Sequence, residues 1–406
     1  MTVRSRGSHL AVMLALCTGL LVGAGSLAGA TAVSALGPSA SPEASPEASP
    51  EVAAGPPASA EPAPSAEPEA PSLASFVEAL GSFLSTLPQA ITDAILARPA
   101  PDLPAVPGPV SYGKDGRFTV LLLGSDWRAN LGGERTDVIM IMTIDPRNGH
   151  AAAVSVPRDL VRIPRAPSNG GGTSGLARVN SLYELYRRSG LPHAAVDKRA
   201  MDRFKDDVAF MLGTEIDHWA LIRFKGFASM VNHVGGLYIT IPDAIDDPYY
   251  RGIHGVWFPE AERYRLKGNP PCASKPRPCH SALAYARSRK GTVGGGVNGD
   301  YTRARRQQLL VMSTIERVVN VLANGAGLGD LVGAVRGAIW SDMPRTLPAA
   351  LQLYDLLKGA TLKPFATVVF GPRKWAYQDS KTAIYTYRPN LPLIRTWVDL
   401  RFRPIK

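Results

Sequence analysis

The chain has 406 residues, of which 45% are hydrophobic and 19% charged, and its formal net charge is +11. This is enough apolar material for a globular core, in one large domain or two ordinary ones, and it excludes a chain that is disordered throughout. The charge is uneven: residues 37–97 carry eight acidic residues and no Lys or Arg, so residues 98–406 hold 43 basic against 26 acidic residues and suit anionic partners.

In chain order, Arg4 and Arg6 precede an uncharged run over residues 10–36, rich in Leu, Ala, Val and Gly. Spanning a membrane needs about 20 apolar residues, and positive residues ahead of the span favour a cytoplasmic N-terminus. Residues 1–36 therefore read as a single-pass signal anchor. The alternative is a signal peptide cleaved near "AGA" (28–30) or "VSA" (33–35), giving a secreted chain. Either way the remainder is expected outside the cytoplasm. Cys17 reads as a membrane-segment residue, because Leu16 stands where a lipid-attachment site carries a small side chain.

Residues 37–72 repeat "ASPE" at positions 40, 44 and 48. Pro, Ala and Glu in this density build no core and favour extended chain, so the segment reads as a disordered linker reaching roughly 110 Å at about 3.1 Å per residue. Residues 73–115 form a juxtadomain accessory segment. Ser72, at the end of the linker, is expected to cap a short amphipathic helix bearing Phe76, Val77, Leu80, Phe83, Leu84 and Leu87, interrupted by Pro88.

The folded domain is expected to begin near Gly116 and to run over 116–323. "FTVLLL" (118–123) and "DVIMIMTI" (137–144) are nearly continuous apolar runs, the pattern of strands buried on both faces. "DPRNG" (145–149) has turn chemistry, and "AAAVSV" (151–156) is the returning strand of a hairpin. Helices are expected at 180–189, 199–212, 225–234, 302–323 and 345–358, and strands at 218–223 and 237–241. Helices mixed with strands and a hairpin give an α/β (α+β) sandwich, with a central mixed β-sheet flanked by helices. Residues 246–280 are a Pro- and Gly-rich insertion with no assigned role, and the triple glycines at 170–172 and 294–296 read as flexible loops. Residues 324–406 are the C-terminal part of the same domain or a packed appendage.

Strand order places the charges. If the first two strands share a sheet, Asp126, Arg128, Arg135, Asp137, Arg158 and Asp159 all fall at one end of it. Two carboxylates there are the hard oxygen ligands that Mg²⁺ takes alongside substrate phosphates. Arginines grip phosphate bidentately. On spacing alone, salt-bridged loop ends are the simpler account of the same residues.

The blocks that carry this pattern are "LLLGSDWR" (121–128), "RTDVIMIMTID" (135–145), "SVPRD" (155–159), "RVN" (178–180), "FKGFASMVNHVGGL" (224–237), "ALAYARSR" (282–289) and "GDYTRARRQQ" (299–308). In this order they resemble the LytR–CpsA–Psr phosphotransferases of bacterial envelopes. The resemblance implies transfer of a glycan-1-phosphate from a polyprenyl-diphosphate carrier onto peptidoglycan. It implies Asp126 and Asp137 as ligands of Mg²⁺ (or Mn²⁺), and Arg135, Arg158, Arg287, Arg289 and Arg303 as diphosphate contacts. Asp159, Asp300 and Gln307 are supporting residues. Arg306 shares a helix face with Arg303 and is expected to pair with a carboxylate.

Cys272 and Cys279 are the cysteines outside the hydrophobic segment, and an exported location permits a disulfide between them. The seven histidines show no metal-binding spacing. Nucleic acid is not an expected partner, since the domain is sent outside and contains no recognised DNA or RNA module. The alternatives to a ligase are a polyprenyl-diphosphate hydrolase and a non-enzymatic protein that holds anionic wall polymer.

Overall fold

The computed structural model describes residues 113, 115–127, 133–145, 150–192, 195–250, 255–269, 280–323, 338–343, 366–379 and 386–402. The N-terminal hydrophobic segment, the linker, the helices expected near 73–87 and at 345–358, Arg128, Cys17, Cys272 and Cys279 lie outside the described residues.

Three strands open the fold: β1 (Phe118–Ser125), β2 (Thr136–Asp145) and β3 (His150–Ser155). The short helix α1 (Leu182–Tyr186) and the longer α2 (Lys198–Leu212) follow. Asp197 caps α2 by accepting hydrogen bonds from the Arg199 and Ala200 amides, and Gly213 ends it in the left-handed conformation. Then come β4 (His218–Arg223), α3 (Phe224–His233), β5 (Leu237–Thr240), β6 (Ile245–Asp247), β7 (Val256–Phe258) and β8 (Arg263–Leu266). The next elements are α4 (Ala282–Arg287), β9 (Thr292–Val293), β10 (Gly296–Val297) and α5 (Asp300–Ala323). The chain closes with β11 (Ile339–Ser341), β12 (Ala366–Val369), β13 (Ala376–Gln378), β14 (Tyr387–Pro389) and α6 (Leu391–Phe402).

The central sheet has the strand order β11-β4-β1-β2-β3-β12. β1, β2 and β3 form an antiparallel meander, while β4 runs parallel to β1 and β12 parallel to β3. The sheet is mixed, as expected. Leu121, Leu123, Ile139, Ile141, Ala152 and Val154 project to one face. They pack there against Phe204, Val208 and Met211 of α2 and Ile394, Val398 and Phe402 of α6. Val120, Met140 and Met142 are buried on the other face, the side of α3 and α5. Burial on both faces is why β1 and β2 read as apolar runs without alternation.

The two edge strands come from residues 339–341 and 366–369, and Phe370, Trp375 and α6 join the main core cluster. The chain beyond 323 thus completes the same sheet.

The second triple glycine differs from the flexible loop expected of it, and the start of the Gly- and Pro-rich insertion is ordered beside it. β6, β7, β9 and β10 build a second sheet of order β10-β9-β6-β7. Gly294 and Gly295 have φ of 54° and 74° between paired β9 and β10. Positive φ at both central residues is the two-residue hairpin turn that glycine favours, so part of the triple glycine is a strand connection and Gly296 is in a strand.

Candidate active site

The charged end of the sheet is built around a bulge. Gly124 pairs with Val138 and Ser125 with Thr136, so Asp137 has no partner across the strands. A bulge of this kind re-aims the extra side chain. The amides of Asp126 and Asp137 both donate to the Arg135 carbonyl, at 3.4 and 3.1 Å, which draws the two aspartates together at the strand ends. A methyl group on Gly124 would lie 2.7 Å from Val138 Cγ2, so glycine allows β1 and β2 to approach closely just below the bulge.

Arg158 is the centre of the cluster. Its Nη1 donates to Asp137 Oδ1 at 2.9 Å, its Nη2 reaches Asp300 Oδ2 at 3.4 Å, and its Nε lies 3.5 Å from Asp159 Oδ2. Asn180 also donates to Asp137 Oδ1, at 3.0 Å, and Arg178 pairs with Asp159 at 3.2 Å. Arg303, one turn into α5, reaches Asp300 Oδ1 at 2.9 Å and is 6% exposed. Asp137, Arg158, Asp159, Asp300 and Arg303 are therefore brought together. Arg135 is exposed beside them.

The electrostatics follow from burial and pairing. Burial works against the Arg158 charge, but Asp137 and Asp300 outweigh it and raise its pKa. Burial and a hydrogen bond to Asp300 push Asp159 up to about 6. Asp300 moves the opposite way: burial would raise it, but the bond from Asp159 and the charges of Arg303 and Arg158 lower it. The opposite directions mean that a proton shared by the pair favours Asp159 over Asp300. Burial lowers the pKa of Arg303, and the like charges of Arg158 and Arg289 add to that.

Two donors in this cluster stand out. The buried Nε atoms of Arg158 and Arg303 make no hydrogen bond to a described residue. Buried donors are nearly always satisfied, so a pair of guanidinium donors in one cluster marks a place suited to an anionic ligand.

Arg287 ends α4, with its guanidinium 5.3 Å from the Phe224 ring centre, and Arg289 stands two residues on, exposed. Arg289 is near enough for its charge to help hold the Asp300 carboxyl down. Gln307 is one turn below Arg303 and donates to the Ala286 carbonyl at 3.2 Å. Among the described residues Arg306 pairs with no carboxylate, contrary to expectation. It donates to the Tyr285 carbonyl at 2.9 Å, to Asn298 Oδ1 at 3.1 Å and to the Ser288 carbonyl, and burial draws its pKa down to about 10. The physical reason is that a helix leaves its last carbonyls without partners. Arg306 and Gln307 supply those partners for α4, and so fix the segment that bears Arg287 and Arg289.

Sequence reasoning assigned nothing to Glu134 and Arg223. Ser125 donates to Glu134 Oε1 at 2.5 Å. Arg223 grips Glu134 bidentately, 2.9 Å on each side, and stacks 4.4 Å from the Trp127 and 4.6 Å from the Trp340 ring centres. This buried clamp ties the ends of β1 and β4 to the segment carrying Asp126. Arg178 and Asn180 were also unassigned, although the "RVN" block in the recognised pattern pointed to them.

As for a metal, Asp126 and Asp137 are hard oxygen donors whose backbone amides meet at one carbonyl, and Asp137 Oδ2 accepts nothing from a described residue. That donor set fits Mg²⁺ completed by substrate oxygens. Among the described residues there is no group of three or more His, Cys, Asp or Glu able to hold a metal without such help.

The chain is similar to the cell wall biosynthesis protein LcpA of Corynebacterium glutamicum, at 28% identity over 288 residues, 63% of this chain and 50% of that protein. It is also similar to the polyisoprenyl-teichoic acid–peptidoglycan teichoic acid transferase TagV of Bacillus subtilis, at 27% identity over 203 residues, 50% of this chain and 44% of that protein. The chain thus spans half or less of the length of these two curated relatives. Among solved structures, protein gbs0355 from Streptococcus agalactiae aligns with a TM-score of 0.50 and 18% identity, over 71% of this chain and 89% of that one, a likeness of fold. The LytR_cpsA_psr family matches residues 103–368, from ahead of β1 to the edge strand β12 and across the whole charge cluster. A match over more than half of the chain, with the family's blocks meeting at one end of one sheet, makes this chain a member of the LytR_cpsA_psr family.

Proposed function

We propose that this chain is a cell-wall glycopolymer phosphotransferase that moves a glycan-1-phosphate from a polyprenyl-diphosphate carrier onto a peptidoglycan hydroxyl. The observation that carries the reading is the half-buried Arg158–Asp137–Asp300–Arg303 cluster, in which two guanidinium groups share two carboxylates at one end of the sheet, in a member of this family. A relative named as a teichoic acid transferase to peptidoglycan supports the same class of reaction.

In the reaction the acceptor oxygen forms a new bond to the glycan-side phosphorus, the bond from that phosphorus to the polyprenyl phosphate oxygen breaks, and the hydroxyl proton is released. Such transfers need alignment and charge neutralisation more than a protein nucleophile. Asp137 and Asp300 hold the Arg158 fork from two sides and Asp159 faces its Nε, so the guanidinium is pre-set as a fixed positive charge beside the diphosphate. Arg303 adds a second donor near the first turn of α5, where free amides also favour an anion. Arg135, Arg287 and Arg289 supply further positive charge around the diphosphate. Mg²⁺ held by Asp126 and Asp137 would neutralise charge on the diphosphate oxygens. Residues 10–36 would anchor the chain in the cell membrane with the domain outside, and a Cys272–Cys279 disulfide would close the small loop between those two cysteines.

The decisive experiment incubates the purified chain with lipid-linked glycan, Mg²⁺ and peptidoglycan and looks for the new phosphodiester. Arg158→Lys keeps the charge and loses the fork. If Arg158 stabilises the transferring phosphoryl group, the rate falls by roughly 10²–10³. Asp126→Asn and Asp137→Asn should each weaken the response to Mg²⁺ as well as the rate. A folded Arg158→Lys chain with wild-type transfer sinks the assignment, and an unaltered Mg²⁺ titration in both Asp variants sinks the metal site. For the disulfide, intact mass of the exported chain under non-reducing conditions should be lighter by the two thiol hydrogens. Two alkylatable thiols would contradict it.

A further inference from the structure

A cavity of about 220 Å³ opens beside the charge cluster, lined by Asp247, Tyr249, Tyr250, Arg287, Arg289 and Lys290. Its walls come from two places in the chain, the end of β6 with the residues after it and the end of α4 with the residues after it. One carboxylate joins them. Asp247, 2% exposed, accepts the Tyr249 amide at 3.1 Å through Oδ1. Through Oδ2 it accepts the Ser288 hydroxyl at 2.8 Å and the Arg289 and Lys290 amides, both at 3.1 Å. With four donors to serve, Asp247 organises the cavity and does not pair with its cations.

The three cations have no carboxylate at ion-pair distance among the described residues. Lys290 Nζ lies 5.9 Å from the Tyr249 ring centre, and Tyr249 is 64% exposed. An anion by itself would use the cations and leave that aromatic face idle. A ligand that uses both has a flat apolar face next to oxygen atoms and an anionic group, which is the chemistry of a phosphorylated sugar ring. Small-molecule sites usually occupy about 300–1,000 Å³, so this smaller cavity suits a single ring. Arg289 supplies the continuity: it lines the cavity, and its charge acts on Asp300 and Arg303. In a polyprenyl-diphosphate glycan the first ring is bonded directly to the diphosphate, so a diphosphate held at the cluster delivers that ring here.

We propose that this cavity is the subsite for the first sugar of the donor, with Tyr249 stacking on the ring and Lys290 bonding its oxygens. The proposal rests on the phosphotransferase reading above and adds to it residues that discriminate among donors. It also gives the 246–280 segment a use, because Tyr249 and Tyr250 belong to it.

The test is calorimetric binding of two probes to the whole chain: a short-chain prenyl diphosphate, and the same diphosphate bearing one N-acetylglucosamine. Wild type is expected to bind the sugar-bearing probe roughly 3- to 10-fold more tightly, the range of a good aromatic contact. Tyr249→Ala should erase that preference and leave affinity for the bare diphosphate unaltered, whereas Tyr249→Phe should keep the preference. Lys290→Met should reduce it. A wild type that binds both probes equally overturns the subsite alone. So does a Tyr249→Ala chain, folded by circular dichroism, that keeps the wild-type preference or weakens both probes alike. A wild type that binds neither probe overturns the subsite and the phosphotransferase reading together.

Discussion

Asp217, just before β4 and at the opposite end of the sheet from the charge cluster, carries a cost that depends on pH. Its Oδ2 accepts the Thr119 amide at 2.7 Å. Burial pushes its pKa from the ordinary 3.8 up to about 7, against the lowering effects of the Thr119 amide, His218 and Lys205 and with some help from Asp115. A folded-state pKa above the unfolded one contributes stability that is fully present below 3.8 and lost as pH rises through about 7. At pH 8 the ionised carboxylate therefore weighs against the fold. Asp217→Asn keeps an acceptor for the Thr119 amide and removes the charge. It should stabilise the chain at pH 8 by about 1–3 kcal/mol, taking ~1.4 kcal/mol per pKa unit and discounting for residual solvation. The gain should vanish near pH 4. Thermal melts of both proteins across that range read it, and a difference that does not vary with pH would contradict the assignment.

Among the elements, the strand ends at the site are held by the Glu134–Arg223 clamp. Both residues are buried, and the pair spans 89 positions of sequence. Replacing one partner strands the other charge in a low-dielectric setting, which typically costs about 3–5 kcal/mol. Arg223→Met should therefore lower stability by that amount, seen as a reduced denaturant midpoint. It should also loosen Trp127 and with it Asp126. The double variant Arg223→Met/Glu134→Leu leaves no unpaired charge and should recover much of the loss. Failure to recover would mean that the stacking between Trp127 and Trp340 matters more than the ion pair.

At the scale of the whole molecule, the central sheet is incomplete without the last eighty or so residues. β11 covers the edge of β4, β12 covers the edge of β3, and α6 covers part of one face. A chain ended at residue 323 would expose two sheet edges and lose Phe370, Trp375, Ile394, Val398 and Phe402 from the core. It should show no cooperative thermal transition and should aggregate. A truncated chain with a wild-type melt would make the C-terminal part an appendage instead.

The central meander, the long helices and the end of the sheet at which the charges collect are legible in the residues alone. Those features follow from local apolar runs, turn chemistry and strand order, which act over a few residues. The ordered blocks named the family. Tertiary structure alone decided that Asp137 stands in a bulge, because register depends on the pairing of two strands and not on either one. It alone brought Asp300 to Arg158 across 142 positions and set Arg306 on carbonyls and not on a carboxylate. It also turned the Gly-rich segment into a second sheet with a cavity at its side. Short strands such as β6, β7, β9 and β10 have too few residues to show a period, and they are stable only when long-range pairing supplies their hydrogen bonds.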